Sequence, residues 1–170
     1  MDPDLLVFFN PYLATGLILV LLMCSALISA SEVAFFSLKP SDLEDLEGDD
    51  RLSSVNVLSL LRNPNPSEGP RHLLATILVL NNLINVAIVL IATVTAQQLF
   101  PVASLPPWLG IVIHIAGVTL LLVLFGEVIP KLFATAHNVR VARFTAALLI
   151  VCQKLLFPFW KPLVAIGRAL

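Results

Sequence analysis

The sequence contains little charge and almost no cysteine, and both shortages limit what the protein can be. Only 12% of its 170 residues are charged, about half the proportion that soluble domains carry. Apolar residues make up 58% of the chain, which is a membrane composition. Cys24 and Cys152 each lie in an apolar run, so we expect them to pack as small apolar side chains and not to form a disulfide or a metal pair.

Other features that are missing exclude further classes of protein. The ten basic residues are spread along the chain without interleaved aromatic residues, so no nucleic-acid partner is indicated. Asp2 and Asp4 stand where a secretory signal peptide would have a basic region, so we expect the first apolar run to remain as a membrane anchor. The apolar runs hold no nucleophile–base pair and no histidine-rich metal motif, which argues against an enzyme.

Three apolar runs are long enough to cross a bilayer, which takes about 20 helical residues. They predict transmembrane helices over residues of about 13–38, 73–99 and 109–136. The expected fold is therefore an all-α membrane protein, with a transmembrane domain over residues 1–143 that includes a polar connection at 39–72.

The polar connection is acidic, with six acids between Asp42 and Asp50. Ser41 followed by Glu44 matches a capping box and predicts a short helix that starts there, and a second helix is predicted for residues of about 51–61. Because the acids lack the ordered spacing of an EF-hand loop, we expect a solvated face and not a calcium site.

Residues 144–170 form a juxtamembrane segment in which Pro158 and Pro162 are expected to interrupt any helix. One interpretation is a short fourth span over 144–160. The one we favour is an amphipathic helix on the membrane surface that inserts its aromatic side chains, Phe157, Phe159 and Trp160.

The basic residues predict the topology. They lie either in the 39–72 connection or from Lys131 onward. By the positive-inside rule, the N-terminus is outside, and the connection and the C-terminal segment are cytoplasmic. A fourth span would export Lys161 and Arg168, which is why we favour three spans.

A charge and a proline interrupt the third run in the stretch Gly126-Glu127-Val128-Ile129-Pro130-Lys131. An ionisable side chain at membrane depth is costly and indicates a functional site. Pro130 has no amide hydrogen, so the Gly126 carbonyl loses its helical partner. We therefore expect a broken helix whose first half ends beside Glu127, with the negative end of its dipole at the break.

Other oxygen-bearing side chains lie at a similar depth. Ser25 and Ser29 share a helix face that Glu32 continues, and Asn82 and Asn85 share another face. At about 1.5 Å per residue, four of the oxygen-bearing positions fall between the middle and the cytoplasmic edge of the membrane: Ser25, Ser29, Asn82 and Glu127. A set of oxygen ligands suits Mg²⁺, Ca²⁺ or Mn²⁺ and disfavours zinc or copper.

Each of these residues also has a structural explanation. The serines could serve close helix packing, and the asparagines could be interhelical hydrogen-bonding groups. Glu127 could pair with Lys131, one turn further on, and Glu32 could pair with Lys39 or reach the interface.

Three stretches together resemble the signature stretches of the CorC/CNNM family's transmembrane domain: 25–32, 81–85 and 126–131. The resemblance covers essentially the whole chain. It implies a homodimer in the plasma or inner membrane, with three transmembrane helices and juxtamembrane helices, that exports Mg²⁺ coupled to Na⁺ entry. Members also continue into cytosolic CBS domains that bind ATP, so we expect this chain to be the membrane part of a longer protein.

The resemblance also implies the site. Its Mg²⁺ candidates are Ser25, Ser29, Asn82 and Glu127, with the backbone carbonyl of Gly126. Glu32 and Asn85 occupy polar positions typical of the family, where they would bind Mg²⁺ or a coupling ion. Animal relatives typically have asparagine in place of Glu32, which argues against a universal ligand role there.

Two functions follow as hypotheses. The leading one is an alternating-access exporter that holds a largely dehydrated Mg²⁺ among three helices embedded in the lipid bilayer. The alternative is a membrane-anchored scaffold whose polar residues only mediate helix packing.

Overall fold

The computed structural model describes residues 10–62, 69–99 and 106–169, with the backbone only of 96–99, 107 and 157–169. The described residues are helical almost throughout and contain no strand, as predicted. Asp2 and Asp4 lie outside them. The elements are α1 (Pro11–Phe36), α2 (Pro40–Glu47), α3 (Leu52–Arg62), α4 (Gly69–Leu99), α5 (Pro107–Leu121), a π-helical turn (Leu122–Val128), α6 (Ile129–Ala136) and α7 (Asn138–Ala169).

Three helical stretches are long and apolar enough to cross a membrane, which confirms the predicted all-α membrane fold. They are Pro11–Phe36, Gly69–Thr95 and Trp108–Ala136. In each helix, at most 28% of the most apolar 18-residue stretch is buried within the protein. Helices that leave this much apolar surface uncovered are suited to a lipid environment.

The chain divides into two compact units. The first combines Met1–Ala26 with Asn82–Ile129, and so contains the first part of α1, the second part of α4, α5 and the π-helical turn. The second combines Leu27–Asn81 with Pro130–Leu170, which includes α2, α3, α6 and α7.

In the second unit, the two short helices of the acidic connection pack against other elements. α2 contacts α3, and α3 packs along α7. Val57 and Leu60 of α3 and Ala142 and Leu149 of α7 are almost completely buried. The burial of this apolar surface, worth about 25 cal/mol per Å², explains why such short helices are stable here.

The start of α2 differs from the prediction. The helix begins at Pro40, with Lys39 as its N-cap, and the Lys39 N–H donates to Asp42 Oδ2 at 2.9 Å. Ser41 is therefore already inside the helix, and the predicted Ser41–Glu44 capping box is wrong. Proline at the first helical position is preset for the helical φ angle and has no amide hydrogen to leave unpaired, which explains the earlier start.

The end of the chain also differs. α7 starts at Asn138, and its backbone remains helical through Pro158 and Pro162. The expectation that these prolines interrupt any helix is wrong. Each proline removes one hydrogen bond, but its fixed φ of about −65° is itself helical. The proposed insertion of Phe157, Phe159 and Trp160 concerns side chains outside the described part of the chain.

Candidate metal centre

A chain of hydrogen bonds joins three helical segments of the first unit through Asn85. The Ser25 hydroxyl of α1 donates to Asn85 Oδ1 of α4 at 2.8 Å, and Asn85 Nδ2 donates to Glu127 Oε1 of the π-helical turn at 3.1 Å. Ser25 is fully buried, whereas Asn85 and Glu127 are half-buried. The structure therefore brings together a hydroxyl, an amide and a carboxylate that lie far apart in the sequence.

The backbone around Glu127 is π-helical and not broken. The N–H of Ile129 donates to the carbonyl of Leu124, five residues earlier. The expected break into two half-helices is therefore wrong, because widening the turn keeps the backbone helical up to Pro130. Pro130 still has no N–H to donate to Gly126. Wide turns of this kind occur frequently at functional sites.

Gly126 lies against α1 at a distance that only glycine permits without adjustment. A Cβ at this position would be 3.1 Å from Ser25 Oγ and 3.5 Å from Leu22 Cδ1. From the sequence alone, Gly126 has a role only through its carbonyl. The structure adds a steric role, since the absence of a side chain lets the π-helical turn approach the Ser25 hydroxyl.

The charge of Glu127 is not balanced by a lysine or arginine within the described residues. Lys131 Nζ lies 3.0 Å from Glu32 Oε2 instead, with side chains that are 37% and 34% exposed. The two alternative ion pairs, Glu127 with Lys131 and Glu32 with Lys39, are therefore not the ones formed. Glu32 already has a cationic partner, whereas Glu127 accepts a hydrogen bond from the neutral amide of Asn85.

The other two predicted ligands differ in their surroundings. Ser29 is fully buried, and its hydroxyl has no hydrogen-bond partner among the described residues. A buried hydroxyl without a partner costs about 1–3 kcal/mol, so it is a good ligand candidate. Asn82 is exposed and lines an open cavity of about 260 Å³ together with Asn85 and three apolar residues of α4.

The donor set fits a hard cation. In the described part of the chain, no group of three or more His, Cys, Asp or Glu residues could hold a metal ion, so a zinc-type or multi-carboxylate site is not formed there. The first-unit cluster offers carboxylate, hydroxyl and carbonyl oxygens. These are ligands of Mg²⁺ and Ca²⁺ and not of soft metals.

A second polar cluster, outside the spans, was missed by the sequence analysis. Asp49 accepts hydrogen bonds from the Arg51 N–H at 3.2 Å and the Ser54 hydroxyl at 3.0 Å, and pairs with Arg143 at 2.7 Å. Partial desolvation raises the pKa of Asp49, but these hydrogen bonds and the charges of Arg51 and Arg143 outweigh it, so the pKa is lowered. Asp49 therefore ties the connection to α7, and the acids are not all simply solvated.

Three apolar spans with a carboxylate-centred polar cluster define a multi-pass helical membrane protein. The family model described as the Cyclin M transmembrane N-terminal domain, CNNM, matches residues 16–170. The chain belongs to this family, which confirms the resemblance drawn from the three polar stretches.

Curated relatives from bacteria agree with this assignment. The chain is 30% identical over 142 residues to a UPF0053 protein of Haemophilus influenzae, and 30% identical over 146 residues to the UPF0053 inner membrane protein YfjD of Escherichia coli. The alignments cover 84% and 86% of this chain but 31% of each relative. A UPF0053 protein of Synechocystis is 28% identical, with 76% of this chain and 34% of the relative covered. The chain thus spans about a third of the length of these relatives.

Proposed function

We propose that this membrane domain binds and transports Mg²⁺, moving it out of the cell by alternating access in exchange for Na⁺. The observation that carries the proposal is the half-buried carboxylate of Glu127, held by Asn85 and without a cationic partner among the described residues. An uncompensated carboxylate within a membrane span is costly. A bound cation would compensate that charge.

The neighbouring oxygens support a cation that has lost most of its water. Glu127, the Ser25 hydroxyl and the Gly126 carbonyl belong to one compact unit, and we propose Ser29 and Asn82 as further ligands from the sequence. Mg²⁺ gives up its water reluctantly. The site would bind Mg²⁺ by replacing several of its water ligands with protein oxygens.

Family membership supports a transport role. The more specific parts of the proposal have other sources. The Na⁺ coupling, the outward direction and the homodimer come from the resemblance to CorC/CNNM proteins. The orientation, with the N-terminus outside and the C-terminal segment in the cytoplasm, comes from the distribution of basic residues.

The test is the affinity of the purified chain for Mg²⁺, measured by calorimetry, together with flux into or out of proteoliposomes under a Na⁺ gradient. Glu127→Gln should weaken Mg²⁺ binding by at least about tenfold, or about 1.4 kcal/mol, and stop flux. Glu44→Gln, which neutralises an exposed acid of α2, is the matched control and should behave like the wild type. Wild-type binding and flux in Glu127→Gln would refute the site.

One observation favours the scaffold as a second candidate function. The Ser25–Asn85–Glu127 hydrogen bonds connect three helical segments, which is what interhelical polar contacts do in membrane proteins. A scaffold predicts that Ser25→Ala and Asn82→Ala lower the thermal stability equally with and without Mg²⁺. The transporter proposal predicts that Mg²⁺ stabilises the wild type and that these variants lose this extra stabilisation.

A further inference from the structure

Asn85 occupies the centre of the polar cluster, between the two side chains that it joins. Its Oδ1 accepts a hydrogen bond from the Ser25 hydroxyl at 2.8 Å, and its Nδ2 donates to Glu127 Oε1 at 3.1 Å. The family resemblance implies that Asn85 would bind Mg²⁺ or a coupling ion. Its contacts indicate a different task.

The chemistry of Glu127 fixes the direction of these hydrogen bonds. An ionised carboxylate only accepts hydrogen bonds, so the amide nitrogen of Asn85 must face it. The amide oxygen then faces Ser25, and the Ser25 hydroxyl must be the donor. The positions of the amide oxygen and nitrogen of Asn85 therefore follow from what Ser25 and Glu127 can donate and accept.

This direction sets the state of the Ser25 oxygen. Because the only hydrogen of the hydroxyl is used in the bond to Asn85, every other contact of that oxygen uses a lone pair. The negative charge of Glu127 polarises the Asn85 amide, which strengthens its oxygen as an acceptor and makes the Ser25 oxygen more electron-rich. On Glu127, the oxygen that accepts the bond from Asn85 is Oε1.

We propose that Asn85 is a positioning residue of the cation site and not a ligand, and that it favours Mg²⁺ over Ca²⁺. The inference rests on the proposed function. Asn85 holds the Ser25 hydroxyl and the Glu127 carboxylate at a fixed separation. Mg²⁺ requires nearly ideal octahedral geometry at about 2.0–2.1 Å, whereas Ca²⁺ accepts flexible geometry at about 2.3–2.6 Å. Loosening the two oxygens should therefore weaken Mg²⁺ binding more than Ca²⁺ binding.

Asn85→Asp separates the two roles. As a ligand, aspartate would keep the oxygen and add charge, so Mg²⁺ would bind as tightly or more tightly. As a positioning residue, it would replace the N–H that holds Glu127 by an acceptor that repels it. We expect Mg²⁺ affinity to fall at least about tenfold and the ratio of Mg²⁺ to Ca²⁺ affinity to fall at least about threefold, measured by calorimetry with each metal. Unchanged or tighter Mg²⁺ binding with an unchanged ratio overturns the inference.

A double-mutant cycle tests the coupling without introducing a new charge. If Asn85 acts through Ser25, Asn85→Ala should weaken Mg²⁺ binding less in the Ser25→Ala background than in the wild type. Additive effects would overturn the inference. Thr93→Ala is the matched control on α4, because the exposed Thr93 hydroxyl donates only to the Val89 carbonyl of its own helix at 2.7 Å; it should change neither affinity.

The outcomes also separate this inference from the proposed function. If Glu127→Gln binds Mg²⁺ like the wild type, the cation site itself is wrong. If Glu127→Gln loses binding while Asn85→Asp retains it with an unchanged metal preference, only the positioning role is wrong.

Discussion

Lys131 Nζ lies 3.0 Å from Glu32 Oε2, so Lys131 pairs with Glu32 and not with Glu127, four residues earlier in the sequence. The two carboxylates at membrane depth therefore differ in their contacts. Glu32 is compensated by a side chain of the protein, whereas Glu127 has no lysine or arginine partner among the described residues. Lys131 is engaged by Glu32, and the hydrogen bond from Asn85 restrains Glu127.

The ion pair predicts a mutual dependence between its two residues. Lys131→Met and Glu32→Gln should each lower stability, by about 1 kcal/mol, because both side chains are about one-third exposed and their attraction is partly screened. The double variant should be less unstable than the sum of the two single variants. Thermal unfolding in detergent measures this, and strict additivity would show that the pair contributes nothing.

Gly126 predicts a steric effect on the cation site. Gly126→Ala would place a Cβ 3.1 Å from Ser25 Oγ, so the hydroxyl must move by a few tenths of an ångström and Mg²⁺ affinity should fall by about tenfold. Gly117→Ala is the control, because a Cβ there meets nothing within 4 Å. It should be neutral or stabilising, since alanine favours helix by about 1 kcal/mol. Equal Mg²⁺ affinities of the two variants would contradict the close approach.

Gly69, the first residue of α4, predicts an effect on stability alone. Gly69→Ala would bring a Cβ into overlap with the Leu61 carbonyl oxygen, a backbone atom that cannot rotate away. We expect a loss of about 1–3 kcal/mol, measured by thermal unfolding. Gly48→Ala should have little effect, because its nearest atom would be 3.7 Å away and its φ of −78° suits alanine. A Gly69→Ala variant as stable as Gly48→Ala would be inconsistent with this packing.

Asp49 predicts a pH dependence with a definite sign. Because its folded pKa is lowered from 3.8, its contacts stabilise the fold above that pH, and the stabilisation is lost as pH falls through the folded pKa. The stability difference between the wild type and Asp49→Asn should therefore be largest near neutral pH and shrink below pH 3.8. Asp50→Asn, at an exposed position, should show no such trend. A difference that grows on acidification would contradict the assignment.

Much of the fold was predictable because it depends on local composition. A run of about 20 apolar residues must form a membrane helix to satisfy its backbone hydrogen bonds, and the three predicted spans match the structure. Helix ends were less predictable. Lys39 gave no cap signal at its own position, and the role of Asp42 became visible only in its contact with the Lys39 N–H.

For the candidate site, the sequence determined which residues carry suitable oxygens and that a proline follows Glu127. Residue type and helical spacing are local properties, and they were enough to select Ser25, Asn85 and Glu127 as polar positions. Only the tertiary structure decided which partners they take: Asn85 between Ser25 and Glu127, and Lys131 with Glu32. Partners on different helices depend on the rotation and close approach of those helices, which the packing of small residues such as Gly126 sets and a single helix cannot encode.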